Sequence, residues 1–267
     1  MTEYNLYNDD CIYRMKQLAE EGVKVDLILT DPPYGTTKCK WDSIIPLDEM
    51  WNSIHNITSD NTPILLFGTE PFSSYLRMSN INNFRYDWIW HKNMSGSFAL
   101  AKKMPMKYHE IISVFYKRLP TYNPQFQDYS ESMKKRFSQG ETVNRTKQLK
   151  HSTNNIHGGL SLNPSPVDFK RGKYPESVQF FKGVHTANGN RVHPSQKPVE
   201  LLEYFIRTYT NEGDTVLDFT MGSGSTGVAC MNTNRNFIGI ELEGRYYNIA
   251  KQRLKEADTS KQTTLKV

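Results

Sequence analysis

The residue types best suited to chemistry stand in the turn Asp31-Pro32-Pro33-Tyr34, which directly follows a short apolar run. Because proline has no backbone N–H, this turn offers mainly acceptors, namely the carboxylate of Asp31 and the carbonyl of Pro32. Tyr34 adds an aromatic plane. Two acceptors beside an aromatic plane could bind both N–H groups of an aromatic amine and stack on its ring, as methylation of such an amine requires. Taken alone, the tetrapeptide is explained equally well as a rigid surface turn.

A second chemical element is the glycine-rich segment that follows Asp218. Its glycines form a G-x-G-x-x-G frame from Gly222 onward, between a predicted strand and a predicted helix, and Glu241 ends the next strand. Glycines let a ligand approach the backbone, and a carboxylate placed like Glu241 can accept both ribose hydroxyls. The pattern predicts a nucleoside-containing cofactor, either S-adenosylmethionine or NAD, unless the glycines serve only packing. Asp218 favours S-adenosylmethionine, because its carboxylate would attract a cationic methionine group and repel a pyrophosphate.

The elements around these turns predict an α/β fold. Apolar runs predict strands at Val25–Thr30, Ile64–Phe67, Phe84–Trp90, Ile111–Tyr116, Thr215–Phe219 and Phe237–Ile240. Helices are predicted at Ile12–Glu20, Leu47–Thr58, Pro71–Met78, Pro198–Tyr209, Thr226–Met231 and Tyr246–Lys255. This alternation predicts a doubly wound, mostly parallel sheet, in which ligands bind at the carboxyl ends of the strands.

Residues 118–190 break this pattern. The segment is rich in Asn, Ser, Gly and Pro, with aromatic residues interleaved, and it carries 11 Lys and Arg against 5 Asp and Glu. The chain as a whole has a net charge of +5, so the basic excess is confined to this segment. The pattern indicates a polyanion-binding insertion, and a solvated basic loop is the alternative.

Composition excludes several classes of protein. No apolar run approaches the roughly 20 residues that cross a membrane, and the N-terminal residues lack the pattern of a signal peptide. The three cysteines are too scattered for a disulfide framework or a structural zinc site. We therefore expect a cytoplasmic protein of one α/β domain with an insertion, reduced thiols and no metal.

Together these residues resemble the β-class amino-DNA methyltransferases, whose catalytic half precedes the cofactor half. Asp31–Tyr34 matches the family's catalytic motif, and His193–Pro198 resembles its His-Pro-Thr-Gln-Lys-Pro signature. The resemblance covers nearly the whole chain except the basic segment. It implies a Rossmann-like methyltransferase fold with circularly permuted motif order: a catalytic half at 1–117, an irregular target-recognition insertion at 118–190 and a cofactor-binding half at 191–267.

The resemblance also implies roles for individual residues, with S-adenosylmethionine as cofactor. Lys197 would approach the carboxylate of its methionine part, Glu241 would bind the ribose, and Asp10 would lie near the adenine. The implied catalytic residues are Asp31, Pro32, Pro33 and Tyr34, and the implied cofactor site comprises Asp10, Cys11, Asp31, Lys197, Asp218, Phe219, Thr220, Gly222, Gly224, Ser225, Thr226, Glu241 and Leu242.

Two matches are less direct. Where the family usually has Asp-Pro-Phe before the glycines, this chain has Asp218-Phe219-Thr220, which moves the aromatic residue to the opposite face of the strand. Trp88–Lys92 resembles a further strand of the family, and no role is implied for Lys92.

The basic segment stands where the family places its target-recognition region. Candidate phosphate contacts are Lys134, Lys135, Arg136, Arg145, Lys147 and Lys150. We therefore expect site-specific methylation of adenine N6 in double-stranded DNA through a flipped-out base, in a bacterial or phage restriction-modification system. Asp31 favours adenine, and cytosine N4 is the alternative. A homodimer and a cognate restriction endonuclease are partners compatible with the resemblance. More distant alternatives are a nicotinamide-dependent oxidoreductase and a DNA-binding protein with a vestigial cofactor fold.

Overall fold

The computed structural model describes residues 2–35, 43–138, 171–184 and 196–264. The strands in these ranges are β1 (Tyr4–Asn8), β2 (Leu27–Thr30), β3 (Ile64–Gly68), β4 (Phe84–His91), β5 (His109–Phe115), β6 (Val178–Phe180), β7 (Thr215–Asp218) and β8 (Asn236–Glu241). The helices are α1 (Cys11–Glu20), α2 (Leu47–Ile57), α3 (Phe72–Ser79), α4 (Glu131–Ser138), α5 (Val199–Tyr209), α6 (Ser225–Asn232) and α7 (Gly244–Thr264), with a 3₁₀ turn at Phe98–Leu100. None of these helices is long and apolar enough to span a bilayer.

The strands form one sheet in the order β1-β8-β7-β2-β3-β5-β4-β6. Strands β1, β8, β7, β2 and β3 are parallel neighbours. Strand β5 runs antiparallel to both β3 and β4, and β6 is parallel to β4. The carboxyl ends of β2, β3, β4, β7 and β8 therefore share one edge with the amino end of β5. This edge carries the turns that follow Thr30 and Asp218, as expected for a ligand site in an open α/β sheet.

Both faces of the sheet are covered, which explains the continuous apolar runs in the sequence. Leu27 and Leu29 of β2 pack into a cluster with α5, α6 and α7 on one face. Ile28 packs into a second cluster with α1, α2 and α3 on the other face. All three side chains are fully buried. The alternation follows from the period of two along a strand, and it makes β2 a rigid support for the turn at its end.

The prediction of a doubly wound, mostly parallel sheet is confirmed, with three additions. Strand β1, strand β6 and helix α4 were not predicted. Strand β6 has only three residues, and its first and last side chains, Val178 and Phe180, are 51% and 55% exposed. It therefore lacks the apolar run that is typical of a central strand. Pro198 caps α5 from extended backbone, with ψ 133°, instead of occupying the first helical position.

The chain divides into two compact units. The larger unit comprises residues 1–123 and 176–267, and the smaller unit comprises residues 124–175. Within the smaller unit, Gln127 pairs with Lys173 in an antiparallel bridge, and the guanidinium of Arg171 lies 4.4 Å from the ring centre of Phe126. The functional boundaries at 1–117, 118–190 and 191–267 stay predictions.

Candidate active site

A cavity of about 530 Å³ opens at the carboxyl edge of the sheet, within the larger unit. This volume lies in the range typical of small-molecule sites. The cavity is lined by twelve of the thirteen residues of the implied cofactor site and by all four implied catalytic residues: Asp10, Cys11, Asp31, Pro32, Pro33, Tyr34, Lys197, Asp218, Phe219, Thr220, Gly222, Ser225, Thr226, Glu241 and Leu242. Two turns that are far apart in the sequence therefore meet in one cavity.

Gly224 is the cofactor-site residue that does not line this cavity. It caps α6 with a φ of +75°, and a Cβ atom there would lie 2.8 Å from the Cβ of Ala250 in α7. A side chain at this position would meet both a strained backbone and the neighbouring helix. The second glycine of the frame thus serves the contact between α6 and α7.

Asp218 is a buried carboxylate at the end of β7. The hydroxyls of Thr30 and Thr226 each donate a hydrogen bond of 2.6 Å to it, and the backbone N–H of Thr220 donates another of 3.2 Å. Burial raises the pKa of Asp218 to about 6, although these hydrogen bonds oppose the increase. The carboxylate is oriented by residues of β2 and α6, which places a negative charge at the cavity wall.

Glu241 ends β8 on the neighbouring side of the glycine turn. The backbone N–H groups of Gly222 and Glu243 donate hydrogen bonds of 2.8 Å to its two oxygens. Burial raises the pKa of Glu241, and these N–H groups oppose the increase. A carboxylate has about four acceptor positions, so the oriented group can accept further hydrogen bonds from a ligand in the cavity.

Asp31 follows β2, the strand next to β7, and lines the same cavity. Its Oδ1 accepts a hydrogen bond from the hydroxyl of Tyr34, and its Oδ2 lies 2.5 Å from the Nζ of Lys197. Burial raises the pKa of Asp31, and the Lys197 ammonium opposes this increase. Thr220 donates to the Asp31 carbonyl at 3.1 Å, so the turn Asp31–Tyr34 is tied directly to the glycine turn.

The sequence did not reveal how Lys197 is held. Its Nζ lies 3.2 Å from Oε2 of Glu110, and Glu110 in turn accepts a hydrogen bond of 2.6 Å from Lys92. Lys92, Glu110, Lys197 and Asp31 are named here the ion-pair network. Lys92 follows β4 and Glu110 lies near the start of β5, so the antiparallel pairing of these strands brings the two together. Both residues lie just outside the predicted strands, and oppositely charged residues at facing strand ends were the available signal.

Three further site residues, Asp10, Cys11 and Phe219, are held by contacts within the fold. Asp10 caps α1 by accepting a hydrogen bond of 2.9 Å from the N–H of Tyr13. Cys11 is buried, and burial raises the pKa of its thiol to about 12. A thiol with this pKa is protonated at neutral pH. Phe219 is 1% exposed and packs in the cluster with α1 and α2, and it also lines the cavity.

The candidate phosphate contacts lie partly outside the described residues. Lys134 and Lys135 are exposed on α4, and Lys134 lies 3.0 Å from Glu131 and 3.6 Å from Asp128. The side chain of Arg136 lies outside the described residues, as do Arg145, Lys147, Lys150 and the segment His193–Ser195. Among the residues that are described, no group of His, Cys, Asp and Glu could hold a metal ion.

A surface that sequence reasoning missed lies between β4 and β5, at the same edge as the cavity. This connection, residues 92–108, is ordered by hydrogen bonds from the N–H of Lys92 to Tyr108 and from the N–H of Lys107 to Ser97. Phe98 is 78% exposed at its tip, and the neighbouring lysines Lys102 and Lys103 are exposed too. An exposed aromatic side chain beside lysines suits nucleic-acid contact.

Comparison with known proteins identifies the family. The family model N6_N4_Mtase, described as DNA methylase, matches residues 25–252. The chain belongs to this DNA methylase family. The resemblance inferred from the motifs is therefore confirmed, and the oxidoreductase alternative is wrong.

Two relatives and one solved structure match this DNA methylase over most of its length. Type II methyltransferase M.HpaI of Haemophilus parainfluenzae is 28% identical over 264 residues, which are 94% of this chain and 74% of the relative. DNA adenine methyltransferase YhdJ of Escherichia coli (strain K12) is 27% identical over 262 residues, which are 93% of this chain and 82% of the relative. The crystal structure of the M1.HpyAVI–SAM complex has a TM-score of 0.63 at 25% identity, and the match covers 94% of this chain and 98% of that one.

The pKa of Asp218 predicts how stability depends on pH. An aspartate in the unfolded chain has a pKa near 3.9, so between about pH 4 and pH 6 the unfolded state releases a proton that the folded state keeps. The free energy of unfolding should therefore fall across this window as pH rises, by on the order of 2 kcal/mol relative to Asp218→Asn. Urea unfolding of both proteins without ligand measures the difference. Parallel pH profiles for the two proteins would contradict the assignment.

Proposed function

We propose that this DNA methylase transfers a methyl group from S-adenosylmethionine to N6 of adenine in double-stranded DNA, with the base flipped out of the helix. The observation that carries the proposal is the meeting of two walls in one cavity. One wall holds the catalytic turn at Asp31, and the other holds the carboxylates of Asp218 and Glu241. Such a cavity has room for a nucleoside cofactor beside an extruded base.

The residues of the cavity fit the cofactor. The Glu241 carboxylate is held by two backbone N–H groups and can accept ribose hydroxyls, while Asp218 supplies negative charge for a cationic methionine group. Lys197 lines the same cavity and is protonated at neutral pH, so its ammonium can interact with a carboxylate of the ligand. When bound, S-adenosylmethionine supplies a methyl group made electrophilic by its sulfonium.

The catalytic turn acts on the target amine. The nitrogen lone pair of an aromatic amine is delocalised into the ring, so the amine is a poor nucleophile. The Asp31 carboxylate and the Pro32 carbonyl accept its two N–H groups, which favours a pyramidal nitrogen and draws off positive charge as the new bond to carbon forms. Asp31 then accepts the proton that the nitrogen loses. Tyr34, whose hydroxyl donates to Asp31, stacks on the extruded base.

Adenine is proposed over cytosine on two grounds. The turn begins with Asp, whereas Ser is commoner among the cytosine-N4 members of the family that the motifs resemble. The relative YhdJ is named as a DNA adenine methyltransferase. Methylation of cytosine N4 is the alternative, because the same two acceptors suit any exocyclic amine. The choice of the DNA sequence around the target base is assigned to the target-recognition insertion predicted at 118–190.

DNA is proposed to approach the carboxyl edge of the sheet. The connection 92–108 lies at this edge, and its exposed Phe98 can stack on or displace a base while Lys102 and Lys103 contact phosphates. The residues predicted from the sequence, Lys134 and Lys135 with their neighbours, are proposed to contribute further phosphate contacts.

The role of Asp31 is tested by two substitutions. Asp31→Ala should lower the single-turnover rate of methyl transfer by at least about 100-fold, because it removes the acceptor of the target amine. Asp31→Asn keeps an acceptor oxygen without the charge and should lose less. Binding of S-adenosylmethionine, measured by calorimetry, should be retained in both variants. Loss of cofactor binding, or an Asp31→Ala variant as fast as the native chain, would overturn this role.

The DNA-contacting edge is tested through salt dependence. If Lys102 and Lys103 each neutralise a phosphate, replacing both with Ala should reduce the slope of log affinity against log salt by about 1.8. Fluorescence anisotropy with labelled duplex DNA measures this slope. Lys24→Ala is the matched control, since Lys24 precedes β2 at the opposite edge and donates to the Asn56 carbonyl. A slope unchanged by the double substitution would remove this connection from the interface.

A further inference from the structure

Lys197 is shared between two carboxylates that come from different strands. Its ammonium lies 2.5 Å from Oδ2 of Asp31 and 3.2 Å from Oε2 of Glu110, and it also lies 5.0 Å from the ring centre of Phe67. The Lys197 side chain is only 9% exposed. Burial lowers the pKa of Lys197, but the two carboxylates outweigh it and raise the pKa, so this lysine is protonated at neutral pH.

Glu110 has no place in the chemistry proposed so far. It does not line the cavity, yet its side chain is only 18% exposed. Burial raises the pKa of Glu110, but Lys197 and Lys92 outweigh it and hold the pKa well below its usual range. Taking four charged groups out of water is costly, and buried ion pairs contribute little net stability. A costly arrangement adjoining the catalytic turn suggests a function in the reaction.

The network has a simple electrostatic consequence. An ammonium paired with Asp31 alone would neutralise the carboxylate and weaken it as an acceptor for the target amine. Because Glu110 attracts the same ammonium and carries a negative charge of its own, it raises the pKa of Asp31 and makes the Asp31 carboxylate a stronger acceptor. Lys92 limits this attraction in turn, since it lies 2.6 Å from the other oxygen of Glu110. The two lysines and two carboxylates of the network sum to zero net charge.

We propose that Glu110 is a positioning residue for methyl transfer: by sharing the Lys197 ammonium with Asp31, it leaves the Asp31 carboxylate able to accept a hydrogen bond from the target amine. By pairing with Glu110, Lys92 sets how strongly Glu110 competes with Asp31 for the Lys197 ammonium. The inference rests on the proposed role of Asp31. It predicts that two residues outside the cavity adjust the pH at which the reaction loses its acceptor.

Several other ionisable groups surround Asp31 and enter the test. Tyr34 donates to its Oδ1, Asp218 faces it from β7, and Lys197 and Glu110 face it from the segment before α5 and from β5. Lys107 lies close to Glu110, Lys92 and Glu70, and burial lowers its pKa. Since burial raises the pKa of Asp218 to about 6, this second carboxyl titrates within the pH range of the experiment, so rates are measured at saturating cofactor and DNA, with cofactor binding measured at each pH.

The test is the pH profile of the single-turnover rate in two charge variants. The rate is lost as pH falls through the pKa of Asp31, because protonation removes the acceptor. Glu110→Gln removes a negative charge, which lowers the pKa of Asp31, so the acid limb should move to lower pH by about half a pH unit or more. Lys92→Met removes a positive charge and leaves Glu110 a stronger competitor for Lys197, so the limb should move to higher pH.

Opposite shifts separate a positioning role from a merely structural one, because a loss of packing would not move the two limbs in opposite directions. Glu203→Gln is the control, because the Glu203 carboxylate pairs with Arg207 at 3.0 Å on α5, outside the ion-pair network. The acid limb of the pH profile of this variant should stay in place. Thermal unfolding checks that each variant folds. Should Glu110→Gln not fold, the upward shift in Lys92→Met decides alone.

Two limbs that stay in place, or that move in the same direction, would overturn the inference and leave the role of Asp31 standing. If Asp31→Ala itself keeps full activity, the proposed function is wrong and the inference falls with it. The two failures are therefore distinguishable.

Discussion

The structure of the site depends on one buried ammonium group held between two carboxylates. Lys197 stands before α5, whereas Asp31 follows β2, 166 residues earlier in the chain, and Glu110 lies on β5. The ion pairs thus join the predicted cofactor half to the predicted catalytic half beside the cavity. Each partner is costly to bury alone, so the three groups are stable only together. The constraint orients the carboxylate of Asp31.

A second buried carboxylate organises the other wall. Asp218 accepts hydrogen bonds from Thr30 of β2 and Thr226 of α6, while Thr220 bonds the carbonyl of Asp31. The bond from Thr30 joins the neighbouring strands β2 and β7, and the bond from Thr220 joins the turns that follow them. Parallel pairing of β2 with β7 brings the two turns side by side, and the hydroxyls then fix their separation. The fold brings the two turns close together, and the polar contacts orient their side chains.

The sequence predicted most of the fold and most of the cavity, for identifiable reasons. Strands buried on both faces, such as β2 and β8, leave continuous apolar runs, and turns with special backbone requirements leave prolines and glycines. Asp31, Asp218 and Glu241 were identified as candidates because Asp31 follows such a strand and the other two end one. Gly224 illustrates a limit, since the same residue type serves ligand approach and helix packing, and only the position of Ala250 distinguishes the two.

The features that the sequence did not predict depend on pairing between distant segments. Glu110 and Lys92 resemble ordinary charged residues at strand ends until β4 and β5 are aligned. The short edge strand β6 has no apolar pattern of its own. The exposed Phe98 looks apolar in the sequence and could equally have been a core residue. Burial and partners across the sheet are decided by tertiary contacts, which local patterns do not encode.

The central claim, that the cavity methylates an exocyclic amine of adenine in DNA, is tested most directly by identifying the product. The chain is incubated with mixed-sequence duplex DNA and methyl-tritiated S-adenosylmethionine, and the DNA is then digested to nucleosides and separated by chromatography. The account predicts that the label elutes with N6-methyldeoxyadenosine. Label in N4-methyldeoxycytidine would contradict the choice of base, and unlabelled DNA from a chain that binds the cofactor would contradict the claim that this cavity acts on DNA.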